Sequence, residues 1–364
     1  MNIGFNIAHP SHYYLFKHII FRLLKQKHNV TIFIKTKDIL EELLIEDNVN
    51  YINIFSQKKG RGKLNLFLAV IYKNFVLYRF LKIKKINLLV SAASDVSQAS
   101  YIAQIPSIIF NDDDIHVVPN SATFGWPFAS VLLVPQICYM GKWERKTIHY
   151  NSYQKTAYLH PAIFTPNISV LDEYGLMNKR YFLIRSVSLT AHHDKNIRGL
   201  SNDLVKTIIE KLTPHGKIII SSERKLPEAL QSFQKKIKYT HIHHLIYYAD
   251  LLVADSQSMC HEAALMGTPS IRFNDFVGKI GVLNELEKKH NLAIGIKPGS
   301  PEELMEKIEE IISNVEYKNM LRKKAKQINS NSINLTAFAV WFIENYPSSF
   351  QILQNNPEYQ ENFR

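Results

Sequence analysis

Short apolar runs alternate along the chain with longer stretches in which apolar residues recur every three or four positions. In the first half, these runs predict strands at 2–7, 30–34, 51–55, 87–90 and 106–110, with helices at about 12–27, 38–46, 64–82 and 99–104. The predicted strands are apolar throughout and alternate with helices. This pattern indicates a parallel sheet that is covered by helices on both faces.

A second alternating series begins after a less regular stretch at 119–166. It predicts strands at 181–184, 217–220, 251–254 and 270–273, and helices at 202–212, 243–249, 258–266, 283–290, 301–313, 315–327 and 335–345. The fold class predicted is α/β, with two doubly wound Rossmann-like domains that face each other across a cleft. The boundaries predicted are 1–166, 167–346 and a fraying polar tail at 347–364.

Composition narrows the class of protein. The 364 residues are 46% hydrophobic, which is enough for two packed cores and excludes a disordered chain. The two cysteines, Cys138 and Cys260, exclude a disulfide framework and a cysteine-based zinc site. The first residues lack the pattern of a signal peptide, and Lys73 and Arg79 interrupt the best candidate for a membrane span. We therefore expect a cytoplasmic protein.

The net charge of +12 raises the question of an anionic partner. Basic residues flank the apolar stretch at 64–81, namely Lys58, Lys59, Arg61 and Lys63 before it and Lys82, Lys84 and Lys85 after it. Three interpretations stay open: a core helix with solvated ends, a helix on an anionic membrane surface, and nucleic-acid binding. Because the chain lacks the motifs of nucleic-acid-binding domains, we predict no nucleic-acid partner.

Chemistry-bearing residues follow three predicted strands, at the edge where parallel sheets bind ligands. The first group is His9-Pro10-Ser11-His12. Pro10 fixes the backbone and Ser11 is expected to cap the next helix. Either His9 or His12 is a candidate general base toward a hydroxyl at neutral pH, the alternative being a histidine that only stabilises the loop. With no third ligand nearby, we predict no metal site here.

The second group is the acidic run Asp112-Asp113-Asp114, which follows the strand at 106–110. Adjacent carboxylates repel one another, so at least one should have a partner. The run could hold a divalent metal, accept hydrogen bonds from sugar hydroxyls, orient a histidine, or be a solvated loop. Asp95, at the end of the preceding strand, is expected to face the same cleft. Asp95 and Asp113 join the two histidines as candidate catalytic groups.

The third group is the most informative. A buried strand runs into Asp255, and a helix opens at Ser256-Gln257-Ser258, where free amides and the positive end of the helix dipole suit a diphosphate. Glu262 lies one turn further, on the face of Ser258, where it could accept both hydroxyls of a ribose. Two other strand ends offer a phosphate-binding arginine, either Arg185, next to Ser186, or Arg224, after Ser222 and Glu223.

This last motif resembles the nucleotide-sugar half of GT-B proteins, which include glycosyltransferases and the non-hydrolysing UDP-N-acetylglucosamine 2-epimerases. The chain is more closely similar to a domain-of-unknown-function family within that superfamily. The residues that carry the resemblance are His9-Pro10-Ser11-His12 with Phe16-Lys17, Phe164-Thr165-Pro166, Arg185-Ser186-Val187-Ser188, Ile220-Ser221-Ser222-Glu223-Arg224, Asp255-Ser256-Gln257, and Gly267-Thr268-Pro269 with Ile271-Arg272.

The resemblance implies a GT-B fold with a nucleotide-sugar donor on the C-terminal domain and the acceptor on the N-terminal one. It implies that His9 or His12 is the base, that the backbone at His241-Ile242 faces the nucleobase, and that Asp95 is catalytic. We therefore predict a metal-independent, cofactor-free glycosyltransferase. It would move a sugar, for which the resemblance favours a UDP-linked donor, to a glycan or lipid-linked acceptor in surface polysaccharide synthesis. The alternatives are an epimerase acting on a UDP-N-acetylhexosamine and a non-catalytic scaffold of a polysaccharide assembly complex.

Overall fold

Two all-parallel sheets organise the chain, as the alternating pattern predicts. They are seen in a computed structural model that describes residues 1–36, 39–55, 63–187 and 198–364, without the side chains of residues 63, 64, 66 and 67. Within these ranges the strands are β1 (Asn2–Ile7), β2 (Asn29–Lys35), β3 (Ile52–Phe55), β4 (Leu88–Ser91), β5 (Ser107–Phe110), β6 (Val131–Pro135), β7 (Thr147–Tyr150), β8 (Tyr181–Ser186), β9 (Lys217–Ser222), β10 (Leu251–Ala254), β11 (Ser270–Phe273) and β12 (Ile294–Ile296).

Helices connect most of these strands. In the described ranges the α-helices are α1 (Pro10–Lys25), α2 (Leu40–Glu46), α3 (Lys63–Ile83), α4 (Ser97–Ile102), α5 (Pro119–Phe124), α6 (Thr156–Leu159), α7 (Asn202–Leu212), α8 (Glu228–Gln231), α9 (Ile242–Tyr248), α10 (Gln257–Met266), α11 (Gly281–Asn284), α12 (Pro301–Ser313), α13 (Tyr317–Asn331), α14 (Leu335–Glu344) and α15 (Ser348–Asn355). The chain forms two units, Met1–Ile163 with Ser332–Arg364, and Phe164–Asn331.

The sheet of the first unit has the order β3-β2-β1-β4-β5-β6-β7. Strands β6 and β7 lie in the stretch that the sequence pattern left irregular. All five residues of β6 are buried, so the strand lacks the alternation of a half-exposed strand. The strand order reverses between β1 and β4, where Asn6 Nδ2 donates to Ser91 Oγ at 3.1 Å. Ligands bind at such reversals in open α/β sheets.

The C-terminal segment belongs to the first unit, which corrects two predictions. Residues 332–346 were assigned to the second domain, but Thr336 Oγ1 of α14 donates to the Ala157 carbonyl at 2.7 Å. The tail at 347–364 was expected to fray, but it forms α15 and a 3₁₀-helix over Pro357–Phe363. The Tyr359 ring stacks on Trp341, with the ring centroids 4.9 Å apart. Contact between aromatic rings therefore holds this tail in place, although its sequence is largely polar.

The sheet of the second unit has the order β12-β11-β10-β8-β9. Strand β12 is an addition to the predicted set, because its three residues are too few for a clear pattern. Leucine and isoleucine side chains of β8, β9 and β10 are buried against α7 and α12. The strand order reverses between β8 and β10, so the ends of these two strands form the expected ligand-binding edge.

Gly267 ends α10 as predicted. Its φ of 68° is in the left-handed region, and an added Cβ would lie 2.6 Å from the Arg322 backbone, so the position requires glycine. Some predicted features lie outside the described residues: the basic residues Lys58, Lys59 and Arg61, the side chain of Lys63, and Ser188 of the Arg185 motif.

Candidate functional site

The histidine loop lies between β1 and α1, at the strand reversal of the first unit. His9, rather than Ser11, is the N-cap of α1, since His9 Nδ1 accepts a hydrogen bond from the Ser11 amide at 3.1 Å. The helix also begins earlier than predicted, with Pro10 in its first turn, where proline needs no amide. The rings of His9 and His12 have centroids 6.0 Å apart. The structure therefore brings both imidazoles to one strand end, as expected.

Asp95 follows β4, the neighbour of β1 at the reversal, in a short 3₁₀-helix. Its carboxylate forms an ion pair with Lys73 of α3, a partner that the sequence reading did not assign. Burial favours the protonated acid, but the Lys73 charge and hydrogen bond outweigh it, so the pKa of Asp95 lies below its ordinary value. Asp95 is thus held as a carboxylate, which suits a charge-stabilising or positioning role better than a proton donor.

The carboxylates of the acidic run after β5 have different partners. Asp114 Oδ1 accepts from the Tyr139 amide at 2.8 Å, while Asp112 Oδ2 lies 3.4 Å from Lys155 Nζ. Burial and the neighbouring Asp112 charge raise the pKa of Asp113 to about 7, although Lys155 opposes the shift. A carboxyl group with a pKa in this range can serve as a general acid or base near neutral pH.

In the second unit, the ends of β8 and β9 are tied together by their side chains. Ser186 Oγ donates to Ser222 Oγ at 3.0 Å, and Arg185 Nη1 donates to Ser221 Oγ at 2.8 Å. A second nitrogen of Arg185 forms an ion pair with Glu223. Four of the predicted site residues thus meet at one edge, and the Arg185 guanidinium is held at the strand end.

Asp255 connects the end of β10 to this cluster. Its carboxylate is fully buried, accepts from the Val187 amide at 2.8 Å and lies 3.5 Å from Arg224 Nη2. Burial raises the pKa of Asp255 to about 6, although the Val187 amide and Arg224 oppose the shift. Arg224 Nη2 also donates to the Leu200 carbonyl at 2.7 Å. Asp255 is therefore a structural anchor for Arg224, beneath the surface of the site.

Helix α10 begins directly after Asp255. Ser256 is its N-cap, with Oγ accepting from the Met259 amide at 3.4 Å, while the rest of the helix beyond Ser258 is buried. Ser256 and Gln257 are half-buried and Ser258 is exposed, so solvent reaches the positive end of the helix. The start of α10 is therefore an accessible helix N-terminus, and anion binding there stays a prediction.

Glu262 is more enclosed than a freely accessible ribose acceptor. Its side chain is 9% exposed, and Oε1 lies 3.5 Å from Nε2 of His243 on α9. Ile242, the residue expected to face a nucleobase, opens α9 and is half-buried. The predicted nucleobase and ribose positions thus lie on neighbouring helices, since α9 packs against α10.

Several site residues escaped sequence reasoning. Lys73 and Lys155 are buried cations beside Asp95 and Asp112, and buried Asn274 donates to the Asp255 carbonyl at 2.9 Å. His243 lies beside Glu262. A lysine inside an otherwise apolar helix was a usable signal for Lys73, because buried charges are paired. No comparable signal distinguishes the other residues.

The arrangement of the described side chains also bears on metal binding. In the part of the chain that the structure describes, histidine, cysteine, aspartate and glutamate side chains form no group of three that could hold a metal ion. The acidic run illustrates the reason, because Asp114 is used by the Tyr139 amide. The positive charges near the predicted diphosphate position are instead those of Arg185 and Arg224.

Comparison with known proteins gives information on the fold. No family model matches the chain, and no curated protein matches it, so the closer resemblance to the family of unknown function remains a prediction. Solved structures do match. A putative UDP-N-acetylglucosamine 2-epimerase from Listeria monocytogenes has a TM-score of 0.66 and 12% identity, over 95% of this chain and 96% of that one.

Two further solved structures extend the comparison. The UDP-GlcNAc 2-epimerase from Neisseria meningitidis, bound to UDP-GlcNAc, has a TM-score of 0.61 and 11% identity over 91% of this chain and 99% of its own. The calicheamicin glycosyltransferase CalG4 has a TM-score of 0.60 and 12% identity over 95% and 98%. Epimerases and glycosyltransferases thus share this architecture, and the chain has the GT-B fold, with two Rossmann-like domains.

Proposed function

We propose that the protein is a metal-independent glycosyltransferase that uses a nucleotide-sugar, preferably UDP-linked. The observation that carries the proposal is the cluster at the ends of β8, β9 and β10, where Arg185 and Arg224 accompany the accessible start of α10. Guanidinium groups and helix amides together provide the positive potential that a diphosphate needs. The solved structures of this fold include one bound to UDP-GlcNAc, which supports a donor of this class.

The donor would be held by the second unit through its diphosphate and ribose. The Arg185 side chain is 19% exposed and contacts Ser221 and Glu223. A bound diphosphate would replace the exposed Glu223 carboxylate as the anionic partner of Arg185. Ser256, Gln257 and Ser258 would supply hydrogen bonds from the first turn of α10. Glu262 would accept the ribose hydroxyls, with His243 fixing the orientation of its carboxylate.

The acceptor would be activated by the first unit. His9 or His12 would take the proton of an acceptor hydroxyl, whose oxygen then bonds to the anomeric carbon of the donor sugar. The bond from that carbon to the diphosphate breaks, and the nucleoside diphosphate leaves with the electron pair, stabilised by the arginines and α10. Asp95 and Asp113 would stabilise or relay charge at the same strand ends. The acceptor proposed is a glycan or lipid-linked glycan of surface polysaccharide synthesis.

Donor turnover tests this proposal. Purified protein with UDP-sugars and glycan acceptors should release UDP, and replacing the base, by His9→Ala or His12→Ala, should lower kcat by about 100-fold or more. His28→Ala is a matched control, because His28 pairs with Glu344 beside the start of β2, at the opposite strand ends. If both loop variants keep full activity, the base assignment is wrong.

An epimerase acting on the donor alone is the second candidate. Two observations favour it: the fold matches to epimerases, and the pKa of about 7 at Asp113, which suits proton exchange at carbon. Incubating UDP-N-acetylglucosamine with the protein in deuterated water, without acceptor, should then incorporate deuterium at the sugar C2, detectable by NMR. Absence of binding of any nucleoside diphosphate by calorimetry would count against both enzymes and favour the non-catalytic scaffold.

A further inference from the structure

Helix α3 of the first unit has apolar side chains on both of its faces. Leu77 and Leu81 are fully buried in a core with Phe33, Leu89 and Val96. On the other side, Leu68, Ile71, Tyr72 and Phe75 are 52%, 49%, 52% and 55% exposed. Their spacing of three and four residues places these four side chains on one helix face, which we term the α3 face. A helix that is apolar all round is ordinarily covered on all sides, so the α3 face calls for a partner.

The orientation of α3 is fixed by polar contacts on its buried side. Lys73 pairs with Asp95, and Asn74 Nδ2 donates at 3.1 Å both to the Asp95 carbonyl and to Gln98 Oε1. Near the end of the helix, Lys82 Nζ donates to the Ala103 carbonyl at 2.7 Å. Rotating α3 to bury the α3 face would break these contacts and expose Leu77 and Leu81. Its exposure is therefore a stable property of the unit.

The charged residues of α3 and of the two positions that follow it have one sign. Residues 63–85 contain six lysines and arginines and no acidic residue. Arg79, Lys82, Lys84 and Lys85 have exposed side chains, and Arg79 continues the α3 face by the same helical spacing. The Tyr72 ring contacts Phe55 at 6.4 Å, and Lys35 Nζ lies 5.7 Å from that Phe55 ring. Lys73, on the buried side of α3, is paired with Asp95, so its charge is already neutralised.

We propose that the α3 face docks on an anionic lipid bilayer, with Leu68, Ile71, Tyr72 and Phe75 in the headgroup region and the basic end of the helix on the lipid phosphates. An apolar face next to clustered cations matches this surface in both chemistry and charge. Among the described residues no helix is long and apolar enough to cross a membrane, so the contact proposed is interfacial. The proposal is independent of the nucleotide-sugar chemistry proposed above.

Vesicle flotation with the full-length chain tests this docking. One set of vesicles contains phosphatidylcholine alone, and in the other about one third of the lipid is phosphatidylglycerol. We expect binding to the anionic vesicles that is at least about tenfold tighter than to the neutral ones, and that weakens with added salt. Equal binding to both vesicles, or no binding to the anionic ones, would overturn the proposal.

Matched variants locate the contact. Ile71→Ser with Phe75→Ser should weaken anionic-vesicle binding by about tenfold or more, and Arg79→Glu by about tenfold. The controls are Ile45→Ser, at a side chain 64% exposed on α2, and Lys323→Glu, at an exposed lysine of α13. Both controls should bind as the wild type does, and all variants should keep its thermal unfolding midpoint.

Two results would contradict the assignment of this surface. Binding that the α3 variants leave unchanged would place the lipid contact elsewhere on the chain. A dimer seen by analytical ultracentrifugation without lipid, and dissociated by Ile71→Ser with Phe75→Ser, would assign the α3 face to a second copy of the chain instead. Monomeric behaviour together with loss of vesicle binding in the same variant is the result expected.

Discussion

The strand ends of both units carry charged residues, and the two units arrange them differently. In the second unit, Arg224 lies against the buried Asp255, and Arg185 pairs with Glu223. In the first unit, burial and the neighbouring Asp112 raise the pKa of Asp113 to about 7, although Lys155 opposes the shift. The raised carboxyl of the second unit, Asp255 with a pKa of about 6, is enclosed beside Arg224, whereas Asp113 is partly exposed and suits proton transfer.

Under the proposed function, this difference would divide the chemistry between the two Rossmann-like units. The second unit has its cations held by neighbours before any ligand arrives, which reduces the reorganisation that binding requires. The first unit holds one carboxylate ionised, Asp95 beside Lys73, and one close to its titration point, Asp113. Each of the following predictions tests this division.

The largest effect is expected from the Arg224–Asp255 pair. Arg224→Ala leaves the buried Asp255 carboxylate without its arginine, so the free energy of unfolding at neutral pH should fall by about 3 kcal/mol. Adding Asp255→Asn removes the charge and should recover most of this loss in urea denaturation. Arg198→Ala, at an arginine 70% exposed beside Asp275, is the control and should change stability by less than about 1 kcal/mol. Equal stability of the single and double variants would refute the coupling.

The next effect concerns Asp113 and pH. Its pKa in the folded chain is about 7, above the ordinary 3.8, so its contribution to stability is fully present below about pH 4 and is lost as pH rises through about 7. Asp113→Asn removes this loss. Relative to the wild type, the variant should gain about 2 kcal/mol of unfolding free energy between about pH 4 and pH 8, allowing for partial exposure. A pH-independent difference would show that Asp113 has an ordinary pKa.

Glu262 tests whether the second unit recognises a ribose. Glu262→Gln should weaken UDP binding by about tenfold, because a hydrogen bond to a charged acceptor is lost, and leave inorganic pyrophosphate binding unchanged. Calorimetry measures both. Glu316→Gln, at an exposed residue, is the control. Equal weakening of both ligands would indicate that Glu262 acts through the fold of α10 rather than on the ribose.

The smallest effect separates helix capping from anion binding. Ser256 caps α10 and Ser201 caps α7, with Oγ accepting from the amides of Met259 and Leu204 at 3.4 and 3.1 Å. Ser256→Ala and Ser201→Ala should each lower the free energy of unfolding by about 1 kcal/mol. UDP affinity, measured by calorimetry, should fall only for Ser256→Ala. A fall in both variants would trace the loss to stability alone.

Sequence reasoning located the strand ends because they are local features. An apolar strand that runs into Asp255, Ser256 and then a helix can be read from adjacent positions, and the structure has β10 and α10 there. The same holds for His9 and His12 after β1. Reasoning failed where the surrounding pattern was irregular: β6 lies between two short 3₁₀-helices, and the tail that contains Tyr359 reads as polar.

The sequence by itself determined two α/β units, the parallel character of their strands, and the residues at the ends of these strands, because periodicity and turn chemistry act between near neighbours. Only the tertiary structure decided which charges meet. Lys73 reaches Asp95, Arg224 reaches Asp255, and His243 reaches Glu262 because strand order and helix packing bring distant segments together. Tertiary packing also placed Thr336 and the helices that follow it in the first unit. Which apolar surface these helices cover depends on the folded chain and cannot be read from neighbouring positions in the sequence.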